Sequence, residues 1–252
     1  MKRIALVIPC YNEEKDIAAS IEKIKEFLSD IKDYQFFIVP VDDGSKDSTK
    51  AIITSIKDIN PISYSPNRGK GGAVKAGIEY SFNELNVDYV IFMDADLSTD
   101  LLAIKKCIDL LEKNYGLVVA SRYNPDSLIK VKQPFKRRLI SKCSRIIISS
   151  MFHFKLKDTQ CGFKGMNKEI GQLFLDKSKI NGFSFDVELI YIAKLNGKKY
   201  VSMPVTWAND EKSTVSGFKT SMRFFKDLFK IKRWKKEYLI KWFFSLLIKS
   251  GF

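Results

Sequence analysis

The feature that most constrains this chain is an alternation of two periods. Apolar, β-rich runs at residues 4–8, 36–41, 89–93 and 117–120 are separated by longer stretches of helical period. Ile17, Ile21, Ile24 and Leu28 share one helical face; Leu101, Ile104, Ile108 and Leu111 repeat the pattern, with Ser98 as the expected cap. The runs are continuously apolar, so each strand is expected to be buried. A βαβα order of this kind predicts an α/β fold: a mainly parallel, twisted sheet with helices on both faces. With 252 residues, 45% of them hydrophobic, the chain can bury a sizeable core.

Ligands of such sheets bind beyond the carboxyl ends of the strands. Here the first strand runs into Pro9-Cys10-Tyr11-Asn12-Glu13, the second into Asp42-Asp43-Gly44-Ser45, and the run at 89–93 into Asp94-Ala95-Asp96. Paired hard oxygens at Asp94 and Asp96 suit Mg²⁺ or Mn²⁺ shared with a substrate phosphate, yet they serve equally as turn and helix-cap residues. Asp42 and Asp43 can accept from base N–H or ribose hydroxyls, or simply build a turn. Asn67-Arg68-Gly69-Lys70-Gly71-Gly72-Ala73 joins glycines and cations ahead of a helix, a composition that lies well against phosphates. The same glycines also permit a tight turn, so each motif alone leaves two readings.

The net charge is +14, but basicity is regional. Residues 128–157 hold nine Lys/Arg and no acid, and residues 221–252 hold nine Lys/Arg against Asp227 and Glu237, which leaves the remainder near neutrality. Nine aromatics lie among the cations of 221–252. Phe225, Leu228 and Phe229 can share a helical face, the pattern of an amphipathic helix on anionic lipid, and residues 140–154 read the same way around Lys142 and Arg145. A boundary is therefore expected at 220, between a domain at 1–220 and a basic, aromatic segment at 221–252 that contacts a membrane surface. The alternative for that segment is a helix docked on the core.

Four scattered cysteines carry no CxxC pair, and one histidine, His153, excludes histidine-cluster zinc sites. The apolar run at 4–9 is too short for a signal segment, and that at 242–248 falls far short of the roughly 20 residues a spanning helix needs. The expectation is a cytoplasmic protein, peripheral on the membrane, with no transmembrane helix.

Taken in order, Ile8-Pro9-Cys10-Tyr11-Asn12-Glu13-Glu14, Asp42-Asp43-Gly44-Ser45, the 67–73 loop, Asp94-Ala95-Asp96, Ser121-Arg122 and Asp158-Thr159-Gln160-Cys161-Gly162-Phe163-Lys164 resemble the family 2 glycosyltransferases. The likeness covers residues 3–230. Within the family it is greatest to dolichyl-phosphate glucose synthases, favoured over the related mannose synthases by the glycine loop, residues 158–164 and Phe185-Asp186-Val187-Glu188-Leu189. The resemblance implies a GT-A fold, a metal-dependent inverting hexosyl transfer, a nucleotide-sugar donor (UDP-glucose) and a polyprenyl-phosphate acceptor. By position it implies that Pro9, Tyr11, Glu13, Asp42, Asp43, Lys70, Asp94, Ala95 and Lys212 hold the donor, with Asp94 and Asp96 on the metal. It puts Arg122, Arg137 and Ser141 on the acceptor phosphate, and with Asp96 these form the expected catalytic set. Ser98 stands where mannose synthases commonly have Gln, and Lys212 precedes Ser213 where the family often has Lys after Ser.

Three other readings compete. A mannose synthase would use GDP-mannose. A polysaccharide-directed family 2 transferase would leave the acid-free 128–157 stretch without a role. A nucleic-acid module fits the basic charge but places acidic strand ends against phosphates, so no nucleic-acid partner is expected.

Overall fold

The computed structural model describes residues 1–131, 135–208 and 217–239, the side chains of 135–137 and 217–221 excepted. In chain order the elements are β1 (Lys2–Cys10), α1 (Ile17–Ser29), β2 (Tyr34–Asp42), α2 (Thr49–Ser55), β3 (Ile62–Ser63), α3 (Lys70–Asn83), β4 (Tyr89–Met93), α4 (Leu102–Glu112), β5 (Leu117–Ser121) and β6 (Leu128–Val131). There follow α5 (Phe135–Phe152), β7 (Phe163–Asn167), α6 (Lys168–Lys177), α7 (Phe185–Leu195), β8 (Tyr200–Pro204), β9 (Thr206–Ala208), α8 (Gly217–Arg233) and α9 (Lys235–Tyr238).

Seven strands form one sheet in the order β3-β2-β1-β4-β7-β5-β8. Every pairing in it is parallel except those of β7, which runs antiparallel between β4 and β5. The expected architecture is present, and the unbroken apolar runs have a simple cause. Along β1, Ile4, Leu6 and Ile8 enter one core while Ala5 and Val7 enter the other; Ile91 and its neighbours Val90 and Phe92 divide likewise in β4. Successive side chains of a strand point to opposite faces, so a sheet covered on both sides leaves no polar position.

The stripe Ile17, Ile21, Ile24 and Leu28 of α1 is buried as expected, as are Ile104, Ile108 and Leu111 of α4. The start of α4 differs. Asp100, rather than Ser98, accepts from the Leu102 N–H at 2.9 Å: α4 begins only at Leu102, and Ser98 lies in the preceding turn with its N–H on Asp96 Oδ1.

Two further departures shape the site. The antiparallel β7 brings its first residue, Phe163, opposite Met93, so residues 158–162 arrive beside the end of β4. In α8 the residues Phe225, Leu228 and Phe229 do not share one environment: Phe224, Leu228 and Ile231 enter the core with Tyr238 of α9, Phe225 packs at its margin, and Phe229 is 68% exposed. A stripe at i, i+4 and i+7 docks the helix on the body and turns the adjacent positions outward.

Candidate active site

The loops after β1 and β2 are sewn together. Asn12 adopts a left-handed φ of 57°, its N–H donates to Ser45 Oγ at 2.9 Å, and its Oδ1 accepts from the Lys46 N–H at 2.9 Å. The Glu13 N–H donates to Thr49 Oγ1 at 2.8 Å. This leaves Pro9 and Glu13 half-buried and Tyr11 exposed along the rim, in the strip expected to meet a nucleoside.

Asp42 and Asp43 are both buried at the base of that strip. Asp42 accepts from the Ser45 N–H at 3.1 Å and from Ser63 Oγ at 3.2 Å. Asp43 accepts from Tyr64 Oη, the Arg68 N–H and the Gly69 N–H, each at 2.8 Å. The carboxylate therefore anchors the glycine loop, with Gly69 at φ 90° and its Cα facing the Asn181 carbonyl too closely for any side chain. Only glycine satisfies both demands.

That anchored loop aims Lys70. Its ammonium donates to Asp94 Oδ1, and it lines a cleft of about 410 Å³ with Arg68, Ser184, Arg223 and Asp227. Burial works against the charged lysine, but Asp94 and then Asp186 outweigh it and raise its pKa. Ala95 is buried beneath the turn, while Asp96 faces outward. Protein crowded against its inner side strips part of the solvent from this exposed carboxyl, and that loss, followed by repulsion from Asp94, holds it above the usual range. Lys164, fully buried, donates to Asp186 at 2.5 Å and to the Cys161 carbonyl at 2.8 Å. The result is an alternation of opposite charges beneath the strand ends, from Asp94 through Lys70 and Asp186 to Lys164.

Gly162 is the unforeseen part of this arrangement. The Asp94 N–H donates to its carbonyl at 3.1 Å, and a Cβ there would lie 1.8 Å from Asp94 Oδ2. The Asp94 carboxylate fills the space that a side chain at 162 would take. No group of three acidic, cysteine or histidine residues able to hold a metal occurs among the described residues. Asp94 and Asp96 nevertheless fit a small divalent ion that takes its remaining ligands from phosphate and water, as Mg²⁺ and Mn²⁺ sites do.

On the other side of the same edge, Arg122 follows β5. It makes a two-pronged pair with buried Asp158, Nε to Oδ2 at 2.8 Å and Nη2 to Oδ1 at 3.0 Å, and its own N–H donates to Oδ2 at 3.0 Å. Burial opposes both charges, but each partner more than compensates: the Arg122 pKa is raised and the Asp158 carboxyl lowered. Tyr123, which the sequence reading passed over, is hydrogen-bonded through its hydroxyl to Ser141 of α5 at 3.1 Å. Arg122 and Ser141 thus meet through Tyr123. The Arg137 side chain and Lys212 lie outside the described residues.

Glu188, His153 and Cys161 have other surroundings. Glu188 accepts from Ser178 Oγ, the Lys179 and Ile180 N–H groups and Tyr238 Oη at 2.6 to 3.0 Å, an internal hub tying α7 to α9. His153 is exposed just past α5. Burial pushes the Cys161 thiol up to about 11, which leaves it a packing group rather than a nucleophile.

A mainly parallel sheet whose edge joins acidic strand ends, a lysine-bearing glycine loop and an arginine wall has the make-up of a GT-A glycosyltransferase. The chain belongs to glycosyl transferase family 2, whose model matches residues 5–174. It is 31% identical over 245 residues to a dolichyl-phosphate beta-glucosyltransferase of Dictyostelium discoideum, covering 91% of this chain and 73% of that protein. The Homo sapiens dolichyl-phosphate beta-glucosyltransferase is 26% identical over 90% of this chain and 74% of its own length. Among solved structures, glucosyl-3-phosphoglycerate synthase of Mycobacterium tuberculosis, crystallised with Mn²⁺, UDP and phosphoglyceric acid, superposes with a TM-score of 0.69 at 16% identity, over 92% of this chain and 78% of that one. At that identity the likeness concerns the fold.

Proposed function

We propose that this protein transfers glucose from UDP-glucose to a polyprenyl phosphate of the dolichyl type, with inversion, to give a β-linked lipid phosphate sugar. The observation that carries this reading is the course of residues 158–164: Asp158 grips Arg122, Gly162 receives Asp94, and Lys164 pairs with Asp186. One short segment couples a donor-side carboxylate to an acceptor-side arginine.

A phosphate oxygen of the lipid attacks the anomeric carbon while the bond from that carbon to the diphosphate breaks, and the electron pair leaves with the nucleoside diphosphate. The attacking group is already an anion, so it needs alignment more than deprotonation, and the absence of histidine from the described site is no obstacle. Lys70, aimed by the Asp43-anchored loop, meets the charge that grows on the leaving diphosphate. A divalent ion held by Asp94 and Asp96 would supply electrostatic stabilisation of the same diphosphate. Pro9, Tyr11 and Glu13 line the nucleoside strip, with Asp42 and Asp43 beneath it; Lys212 joins the donor phosphates by its position in the sequence. Arg122, Arg137 and Ser141 receive the acceptor phosphate.

The acceptor's membrane is met by α5 and α8. Leu139, Ile140 and Ile146 of α5 and Phe229 of α8 are exposed, and Arg138, Lys142, Lys226 and Lys230 stand exposed among them. Apolar side chains set among cations suit the surface of an anionic bilayer. No helix among the described residues is long and apolar enough to cross a membrane.

Purified protein supplied with Mg²⁺ or Mn²⁺, a panel of nucleotide sugars and a short polyprenyl phosphate tests the reading. Lipid-linked glucose from UDP-glucose is the expected product. Folded protein that makes no lipid-linked sugar from any donor would overturn it.

A further inference from the structure

Arg122 cannot supply the acceptor site with net positive charge. Its guanidinium is matched by the Asp158 carboxylate in a two-pronged, largely buried pair, so an incoming phosphate meets a neutral couple with some N–H capacity left over. A lipid phosphate carries one to two negative charges and needs an uncompensated cation to leave water for this wall.

Arg145 is such a cation. It lies one helical turn beyond Ser141 on the same face of α5, and its guanidinium carbon sits 3.6 Å from the centroid of the Tyr123 ring. No carboxylate pairs with it among the described residues, and residues 128–157 contain no acid that could. Its Nε is buried without a hydrogen-bond partner. Tyr123 therefore does two things at once: the hydroxyl meets Ser141 and the ring face carries Arg145, while the Arg122 guanidinium lies 5.8 Å from the same centroid. An unpaired guanidinium on the ring of a tyrosine whose hydroxyl meets a serine, with a second guanidinium near the same ring, makes a receptor for a tetrahedral oxyanion.

We propose that Arg145 is a phosphate-binding residue for the acceptor, an uncompensated charge added to the site that Arg122 and Ser141 form around Tyr123. The proposal rests on the transferase reading above and adds to it a residue on which the acceptor's affinity turns. The ligand is a phosphate monoester, and the lipid acceptor, rather than the donor diphosphate, is its source.

Steady-state kinetics of Arg145→Gln and Arg145→Lys with a soluble short-chain polyprenyl phosphate separate the outcomes. Arg145→Gln is expected to raise the acceptor KM at least tenfold with the donor KM within twofold of the parent. Arg145→Lys, which keeps the charge and loses the fork, is expected to fall between. An unchanged acceptor KM in Arg145→Gln overturns the proposal, and so does a rise confined to the donor KM. Should the variants fail to fold, per-residue phenylglyoxal labelling of the unmodified protein decides: the short polyprenyl phosphate is expected to protect Arg145, and equal labelling with and without it overturns the assignment. Failure of the unmodified protein to glycosylate any lipid phosphate would instead remove the transferase reading itself, so the two failures are distinguishable.

Discussion

The two halves of the site edge are built on opposite electrostatic plans. On the donor side each acid is engaged: Asp43 by three donors, Asp94 by Lys70, Asp186 by Lys164. On the acceptor side the cations outnumber their partners among the described residues: Arg122 has Asp158 and Lys230 has Asp227, whereas α5 carries basic residues with no acid of its own. The contrast teaches what each half must do. A cluster that handles a developing negative charge works best when its groups are fixed beforehand, since no reorganisation is then needed at the moment of reaction. A surface that must draw an anionic headgroup out of a membrane works best with charge left unspent.

The comparison is broken most severely on the donor side. Asp96→Asn keeps the shape of the turn and removes a charge, and turnover is expected to fall by about two to three orders of magnitude, measured at saturating donor over a range of Mg²⁺ and Mn²⁺. An unchanged rate would take Asp96 out of the metal role. Lys164→Met takes away the ion-pair partner of buried Asp186 and leaves it Lys70 as its cationic neighbour; the expected loss is about 3–5 kcal/mol in denaturant unfolding, and Lys164→Met with Asp186→Leu is expected to recover most of it. If the double variant is no more stable than the single one, the pair is not the unit argued here.

Gly162→Ala sharpens the comparison at one atom. The added methyl collides with Asp94, so turnover is expected to drop by at least tenfold while stability falls by about 1–3 kcal/mol. Normal turnover would mean that the Asp94 position can shift without cost. The smallest effect is expected on the acceptor side. Phe229→Ser removes an exposed ring, and folding stability should change by about 0.5 kcal/mol or less, while co-sedimentation with anionic liposomes weakens several-fold. Undiminished liposome binding would direct attention away from the outer face of α8.

Much of this was legible in order along the chain. The runs at 4–8 and 89–93 had to be covered on both faces because they are continuously apolar, and the acidic turns at 42–43 and 94–96, each following a strand of the same parallel set, had to fall on one sheet edge. The short pieces were not legible. The sequence Phe163-Lys164-Gly165-Met166-Asn167 contains a lysine and a glycine and does not read as a buried strand, yet it becomes β7 because Asp186 neutralises the lysine and Cys107 and Leu111 fill the space over Gly165. Tyr123 and Arg145 are 22 positions apart by their numbers and carry no motif that links them. Likewise, the period in α8 foretold an apolar stripe but not that Phe224, Leu228 and Ile231, rather than Phe229, would be the residues on the core.

By itself the sequence determined the class of sheet, the edge on which chemistry gathers and the kinds of group available there, because periodicity and strand-end composition are local properties that survive without knowledge of neighbours. Only the tertiary structure decided which of those groups are neutralised and which remain charged. Pairing depends on distances between segments far apart in the chain: the antiparallel β7 brings the segment of Asp158 to Arg122, whereas Arg145 rests on Tyr123 with no counter-charge among the described residues.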